Sequence, residues 1–187
     1  MIPQPNAYPI ACAVNAKTGA LAVTSNAGDT VYVYGNAFGY PTDYSDANFC
    51  YLTYDGYDKA GNLFVDGFDC SNNFHYAELP AGSSSFTDIT LNQTPAYPGN
   101  VQWDGTYMDV GDAYSVLYQT QGSTVVGTVT LDTTGIRQYY IVPSHKKVIV
   151  PTFATGYVGI YPYPAGGAAL KKLQGGFARP LGTVLSP

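Results

Sequence analysis

Short apolar runs rich in valine, tyrosine and threonine recur along the chain, and polar turns separate them. Leu21–Thr24 follows a turn at 15–19, and Leu63–Asp66 follows a turn at 58–61. Runs of this length and composition between turn signals predict β-strands that pair as hairpins. The nearest approach to a helical pattern is at 165–174, where Pro164 and two glycines argue against a helix. The pattern therefore predicts an all-β protein.

The predicted hairpins repeat at a regular interval. Gly19 and Gly61 close equivalent turns 42 residues apart, and Gly105 follows 44 residues later. The tripeptide at 80–82, Pro-Ala-Gly, recurs at 164–166, two periods further on. A period of about 40–50 residues with several short strands in each repeat is typical of propeller blades. We therefore predict a β-propeller of about four blades of roughly 42 residues each.

The repeat divides the chain into four units and a remainder, as a single propeller domain or a partial propeller. The predicted units lie at about 8–44, 45–92, 94–132 and 133–175. The remainder, 176–187, is predicted to be an extra C-terminal strand, because a proline followed by a short apolar run also begins the first unit. We expect this strand to lack a partner within its own chain, and an unpaired strand is a template for another chain. The alternative is that 176–187 packs as an extension of the fourth unit.

Composition excludes several classes of function. Lys and Arg total 8, the net charge is −5, and the basic residues form no stripe, so nucleic acid is not the expected partner. No run of 18 apolar residues predicts a membrane span. The segment at 1–5 has neither the basic nor the apolar region of a signal peptide, so we expect none in this chain. The low lysine content and the polar, tyrosine-rich surface are nevertheless typical of a secreted bacterial protein, extracellular or at the cell surface.

Three cysteines suggest one cross-link. If the hairpin between the first two strands of the second unit centres on Ala60, Cys50 and Cys70 face each other across an antiparallel pair. Cβ atoms at such positions lie near disulfide range. A Cys50–Cys70 disulfide and a pair of buried thiols are both consistent with this register. Cys12 occupies the position of Cys50 in its own unit, and we expect it to be buried and free.

The sequence resembles a family of propellers through several motifs. The run at 58–67 has the NHL-like pattern of Gly-Asn-Leu followed by an apolar strand, and segments at 77–83, 91–94, 98–105 and 161–167 follow in the family's order. Together they look like an uncharacterised family of secreted bacterial NHL-like or SMP-30-like propellers. The family's usual chain is longer, so this chain resembles its C-terminal four units. The resemblance implies no established activity.

Polar residues at strand ends are the candidates for a binding site. On one face of a propeller, at the central channel, the strand order would place a set of carboxylate, amide and guanidinium side chains. These are Asn26, Asp66, Asp69, Gln102, Asp109, Asp112, Arg137 and Gln138. Carboxylate and amide oxygens are ligands for Ca²⁺, and Asp69, Asp112 and Asn26 would be the metal ligands. The alternative is that these residues cap turns, and we expect no bound cofactor.

Two hypotheses about function follow. The first is a non-enzymatic extracellular binding or assembly module that self-associates through 176–187 and binds carbohydrate or protein. It is motivated by the unpartnered strand and by ten tyrosines, too many for one core. These are Tyr32, Tyr34, Tyr51, Tyr54, Tyr57, Tyr139, Tyr140, Tyr157, Tyr161 and Tyr163. The second is a metal-dependent lactonase or lyase of the SMP-30-like class. His75 and His145 are expected to be solvated, without a catalytic partner.

Overall fold

A computed structural model describes residues 8–184 and shows strands as the dominant element. Sixteen strands and two 3-10 turns, at Gly35–Ala37 and Pro143–His145, are assigned over these residues. The strands form four separate antiparallel sheets of four strands each, which confirms the predicted all-β, four-blade pattern. The chain divides into two compact units, Met1–Thr94 and Pro95–Pro187, with two sheets in each. Between residues 8 and 184 no helix has the length and apolar composition needed to span a bilayer.

The two sheets of the first unit are meanders, in which each strand pairs with the next along the chain. The first sheet contains β1 (Pro9–Val14), β2 (Leu21–Ser25), β3 (Thr30–Tyr34) and β4 (Thr42–Ser45). The second sheet contains β5 (Tyr51–Tyr57), β6 (Leu63–Phe68), β7 (Phe74–Leu79) and β8 (Thr87–Asp88). Consecutive antiparallel strands joined by short turns are the expected outcome of the hairpin signals in the sequence.

The second unit has the same plan. Its third sheet contains β9 (Pro98–Trp103), β10 (Met108–Asp112), β11 (Val116–Gln121) and β12 (Thr124–Thr130). Its fourth sheet contains β13 (Tyr140–Val142), β14 (Lys147–Thr152), β15 (Tyr157–Pro162) and β16 (Lys171–Leu173). Every sheet is thus a four-stranded meander of the kind that forms one propeller blade.

Within each unit the two sheets pack against each other. In the first unit Ala22 and Val31 of the first sheet meet Leu52 and Val65 of the second in one apolar cluster. In the second unit Leu117 and Val129 meet Ile141, Val148 and Tyr161. Because side chains alternate between the two faces of a strand, each sheet contributes every second residue to this shared core.

Hydrogen bonds between equivalent positions tie neighbouring sheets together at the repeat interval. Gln102 Nε2 donates to Ile141 O at 3.0 Å, and Ile141 N donates to Gln102 Oε1 at 2.8 Å, across 39 residues. Lys17 Nζ donates to Ala60 O at 3.0 Å, which connects the two turns that revealed the repeat. The repeat in the sequence is therefore a repeat of contacts between sheets.

The Cys50–Cys70 disulfide is confirmed, with a Cα–Cα distance of 5.0 Å. The register that suggested it holds only in part. A bulge between Leu52 and Asp55 shifts the pairing by one residue, so that Tyr51 opposes Phe68. The two cysteines lie just outside the paired strands, where Cys50 N donates to Phe68 O at 2.8 Å.

The expected extra C-terminal strand is not formed over the described part of 176–187. Residues 176–184 are irregular, and 185–187 lie outside the described residues. Gly175 and Gly176 both have positive φ, at 93° and 77°, and turn the backbone directly after β16. The segment then passes over the fourth sheet instead of extending it.

Candidate functional site

The fourth sheet has two apolar faces. On β14, Val148 and Val150 point to the core shared with the third sheet, whereas Ile149 points to the other side. There Ile149 joins Val142 and Val158 in a second cluster. Apolar residues on both faces are typical of a sheet that is covered on both sides. Among the described residues of this unit, no sheet packs against the face that carries Ile149.

The C-terminal segment lies along this second face and leaves a groove. The groove has a volume of about 720 Å³, with Ile149, Val158, Ile160 and Leu173 on the sheet side and residues of 177–184 on the other. Arg179 is held over the Phe153 ring at 5.3 Å. Phe177, Leu181 and Val184 are 45%, 54% and 74% exposed. Ile149 and Val158 are buried beneath it, so the exposed apolar surface here belongs to the segment itself and to Leu173 at the sheet edge.

The first unit also exposes apolar side chains along its first sheet. Ile10 and Val14 of β1 are exposed, and Tyr8 precedes them. Phe38 and Tyr40, in the connection between β3 and β4, are also exposed. Exposed apolar and aromatic residues concentrated on one sheet, rather than scattered singly, are typical of a contact surface.

The predicted binding residues of the first unit serve local structure. Asp66 is fully buried, and its Oδ1 accepts bonds from Thr53 Oγ1 and Tyr54 N, both at 3.0 Å. Asp69 accepts from Ser71 N and Asn73 N at 2.8 Å, and these bonds close the β6–β7 turn. Hydrogen bonds from the Asn73 side chain and from the two backbone amides lower the pKa of Asp69. Asn26 Nδ2 donates to Leu52 O at 3.4 Å. These contacts are those of turn-capping and strand-bridging residues.

The predicted residues of the second unit are also engaged. Asp112 accepts from Ala96 N at 2.8 Å and from Tyr114 N at 3.1 Å. Gln102 bridges β9 to Ile141, as described above. Arg137 is exposed and stacks over the Phe153 ring at 5.6 Å, and Gln138 is half-buried. Their proposed roles in binding remain predictions.

Asp109 belongs to a buried polar network that its sequence context did not reveal. The Tyr163 hydroxyl lies 2.5 Å from Asp104 Oδ2 and 2.8 Å from Asp109 Oδ2, and Gln119 Nε2 donates to the same hydroxyl at 2.9 Å. Burial raises the pKa of Asp109 to about 8, against the hydrogen bond from Tyr163 and with the help of nearby Asp104. Burial also acts on Asp104, but hydrogen bonds from Tyr163, two backbone amides and Gln119 lower its pKa. The opposite directions of the two pKa shifts favour a charged Asp104 and a protonated Asp109 at neutral pH, and the one proton of the Tyr163 hydroxyl is then donated to Asp104.

Most of the ten tyrosines pack inside the units. Six are buried, three are half-buried, and Tyr51 is exposed. The buried ones are Tyr34, Tyr54, Tyr139, Tyr157, Tyr161 and Tyr163. Other exposed tyrosines lie outside the ten. Tyr97 and Tyr114 are examples, and their rings meet edge-to-face at 5.5 Å.

Cys12 is free, as expected, but the expectation that it is buried is wrong. It is an exposed residue of β1, whose side chains alternate between half-buried and exposed at this point. Partial burial and the nearby Asp55 carboxyl raise the pKa of the Cys12 thiol.

His75 has carboxylate partners that are distant from it in the sequence. Its Nε2 lies 3.0 Å from Asp88 Oδ1, and Asp46 completes a group of three. Asp46, His75 and Asp88 are separated by up to 42 residues in the chain, so no local motif connects them. We expected His75 to be solvated, but it is half-buried and pairs with a carboxylate.

Comparisons with solved structures support the fold. The structure is similar to Kuenenia stuttgartiensis hydrazine synthase, with a TM-score of 0.68 and 13% identity, covering 92% of this chain and 51% of that one. It is also similar to the WD40 β-propeller domain of Doa1, with a TM-score of 0.66 and 12% identity, covering 95% and 58%. At such identities the likeness shows the fold alone, which is that of β-propeller blades.

This chain spans about half the length of the solved chains that it matches. No protein-family model and no curated protein matches its sequence. The resemblance to NHL-like and SMP-30-like propellers therefore remains a prediction.

Proposed function

We propose that this protein is a binding or assembly module that self-associates through its C-terminal segment and the apolar face beneath it. The observation that carries this proposal is the second apolar face of the fourth sheet. It has the composition of a sheet packed on both sides, and among the described residues of its unit the segment that lies on it, 177–184, is irregular.

A second copy of this chain is the occupant that we propose for this face. Sheet-on-sheet packing is the contact that the chain already makes twice, once in each unit. The first sheet of another copy carries exposed apolar residues along β1, so it has the composition of a complementary surface. A contact between two different faces is heterologous, and it builds a closed ring or a filament.

The C-terminal segment would take part by moving to the neighbouring copy. Residues 176–184 form no strand in their own chain, and two positive-φ glycines connect them to β16. A segment with this connection can add as a strand to another sheet without disturbing the sheet that it leaves. The exposed apolar side chains of Leu181 and Val184 would then become buried.

The proposal also includes the compartment in which the protein acts and the class of ligand that it binds. The Cys50–Cys70 disulfide favours an oxidising compartment, in agreement with the secreted bacterial family that the sequence resembles. Exposed tyrosines, including the Tyr97–Tyr114 pair, favour protein or carbohydrate as the ligand.

Mass measurement by light scattering tests the self-association. We expect the full chain to form an oligomer whose mass rises with concentration, and deletion of 176–187 to reduce it to a monomer. The double variant Leu181→Asp/Val184→Asp should act in the same direction while keeping the segment in place. Val126→Asp, at an exposed apolar position of β12, is the matched control and should leave the mass unchanged. A full chain that stays monomeric at high concentration, or variants with the mass of the full chain, would contradict the proposal.

A further inference from the structure

Asp46, His75 and Asp88 converge from three different elements of the first unit. Ala77 of β7 opposes Asp88 of β8, so His75, two residues before Ala77, points to the same face and lies diagonal to Asp88. Asp46 comes from the connection between β4 and β5, where its backbone N donates to Asp29 O at 3.2 Å. The fold thus brings one imidazole and two carboxylates together.

The spacing of these groups fits one metal ion. One potential ligand atom from each residue lies within 4.8 Å of the other two, and His75 Nε2 and Asp88 Oδ1 are 3.0 Å apart. Two ligand atoms bound about 2.1 Å from a tetrahedral ion are separated by about 3.4 Å. The His75–Asp88 pair would therefore have to separate by about 0.4 Å to hold such an ion between them.

Surrounding residues hold the three groups in place. Asn48 N donates to Asp46 Oδ1 at 3.0 Å, and Asn48 Nδ2 donates to Asp88 Oδ2 at 2.8 Å. The Phe49 ring meets the His75 imidazole edge-to-face at 4.5 Å. The Cys50–Cys70 disulfide fixes the chain directly after Phe49. Outer contacts of this kind orient ligands in metal sites.

The electrostatics of the group favour a cation. The group combines two carboxylates with one imidazole; Asp46 and His75 are half-buried, and Asp88 is exposed. One oxygen of the Asp46 carboxylate and one of the Asp88 carboxylate lie within 4.8 Å of each other, so the two groups repel when both are charged. A cation between the two carboxylates would remove this repulsion.

We propose that Asp46, His75 and Asp88 form a binding site for a divalent transition-metal ion of the zinc type. An imidazole with carboxylates suits Zn²⁺ and its neighbours, whereas Ca²⁺ takes six to eight oxygen ligands and has little use for an imidazole. On binding, His75 presents the lone pair of Nε2 and keeps its proton on Nδ1. This site is separate from the surface in the proposed function and does not depend on it.

Zinc titration of the full chain, followed by calorimetry, tests the site. The titration is done in a Cys12→Ser background, because the free thiol of Cys12 is itself a zinc ligand. We expect one Zn²⁺ per chain, and a loss of affinity of at least tenfold in His75→Gln, in Asp46→Asn and in Asp88→Asn. His145→Gln is the matched control, since His145 lies in the 3-10 turn of the other unit.

A second readout reports coordination directly. Co²⁺ in place of zinc should give visible ligand-field absorption in the background chain and in His145→Gln, and none in His75→Gln. Thermal melts without metal verify that each variant is folded. Absence of zinc binding, equal binding in folded His75→Gln, or calcium binding as tight as zinc binding would each overturn the proposal.

Discussion

Replacement of Asp109 by Asn should change how the stability of the protein depends on pH. Asp109 is completely buried on β10, beside the Tyr163 hydroxyl and Asp104. Burial raises its pKa from 3.8 to about 8. At a pH between 3.8 and about 8, Asp109 is protonated in the folded chain and has lost its proton in the unfolded chain.

The sign of the effect follows from proton linkage. When the folded state binds more protons, the free energy of unfolding falls as pH rises. The contribution of Asp109 is fully present below about pH 4 and is lost as pH rises to about 8, with a slope of about 1 kcal/mol per pH unit. Burial also raises the pKa of Asp55 to about 8, so the wild-type chain has a second such group in its first unit.

Urea unfolding at several pH values between about 5 and 7 measures the slope. Trp103 is the only tryptophan in the chain and lies on β9, so its fluorescence reports the unit that contains Asp109. Asp109→Asn keeps the volume and the hydrogen bond to Tyr163, and it should lower the slope by about 1 kcal/mol per pH unit. Asp132→Asn, an equal change of charge at an exposed position of the same unit, should leave the slope as it is. If Asp109→Asn has the wild-type slope, Asp109 is not the buried protonated carboxyl inferred here.

Two further predictions concern cross-links between elements. The Cys50→Ser/Cys70→Ser variant loses a bridge that spans 20 residues, so its free energy of unfolding should fall by about 2–4 kcal/mol. Reductant should lower the stability of the wild type and leave that of the variant unchanged. A variant that responds to reductant as the wild type does would refute this assignment. Gln102→Leu leaves the N–H and C=O of Ile141 without their side-chain partner, so it should lower the free energy of unfolding by about 1–3 kcal/mol, measured with urea. Gln121→Leu, at an exposed position, is the control. Equal effects of the two substitutions would contradict the bridging role of Gln102.

The amino-acid sequence by itself determined the local architecture. Turn residues at a 42-residue interval and the short apolar runs between them predicted about four blades of several strands each, because turn chemistry and side-chain periodicity act over a few neighbouring residues. The same local pairing brought Cys50 and Cys70 near each other across one hairpin, which allowed either a disulfide or two buried thiols, and the structure shows the disulfide. The one-residue bulge after Leu52 was invisible, because nothing in the local sequence distinguishes it from regular pairing.

Tertiary structure alone decided which polar groups meet. Asp104 and Tyr163 are 59 residues apart, and Asp46 and Asp88 are 42 apart, so only sheet packing brings each pair together. Which sheet covers which face also decides the exposure of each residue. It buries Asp109, which raises the pKa of that carboxyl, and it leaves Cys12 exposed. The course of 176–184 over the fourth sheet brings it against Ile149 and Val158, and burial of apolar surface between segments distant in the sequence is decided by the tertiary structure.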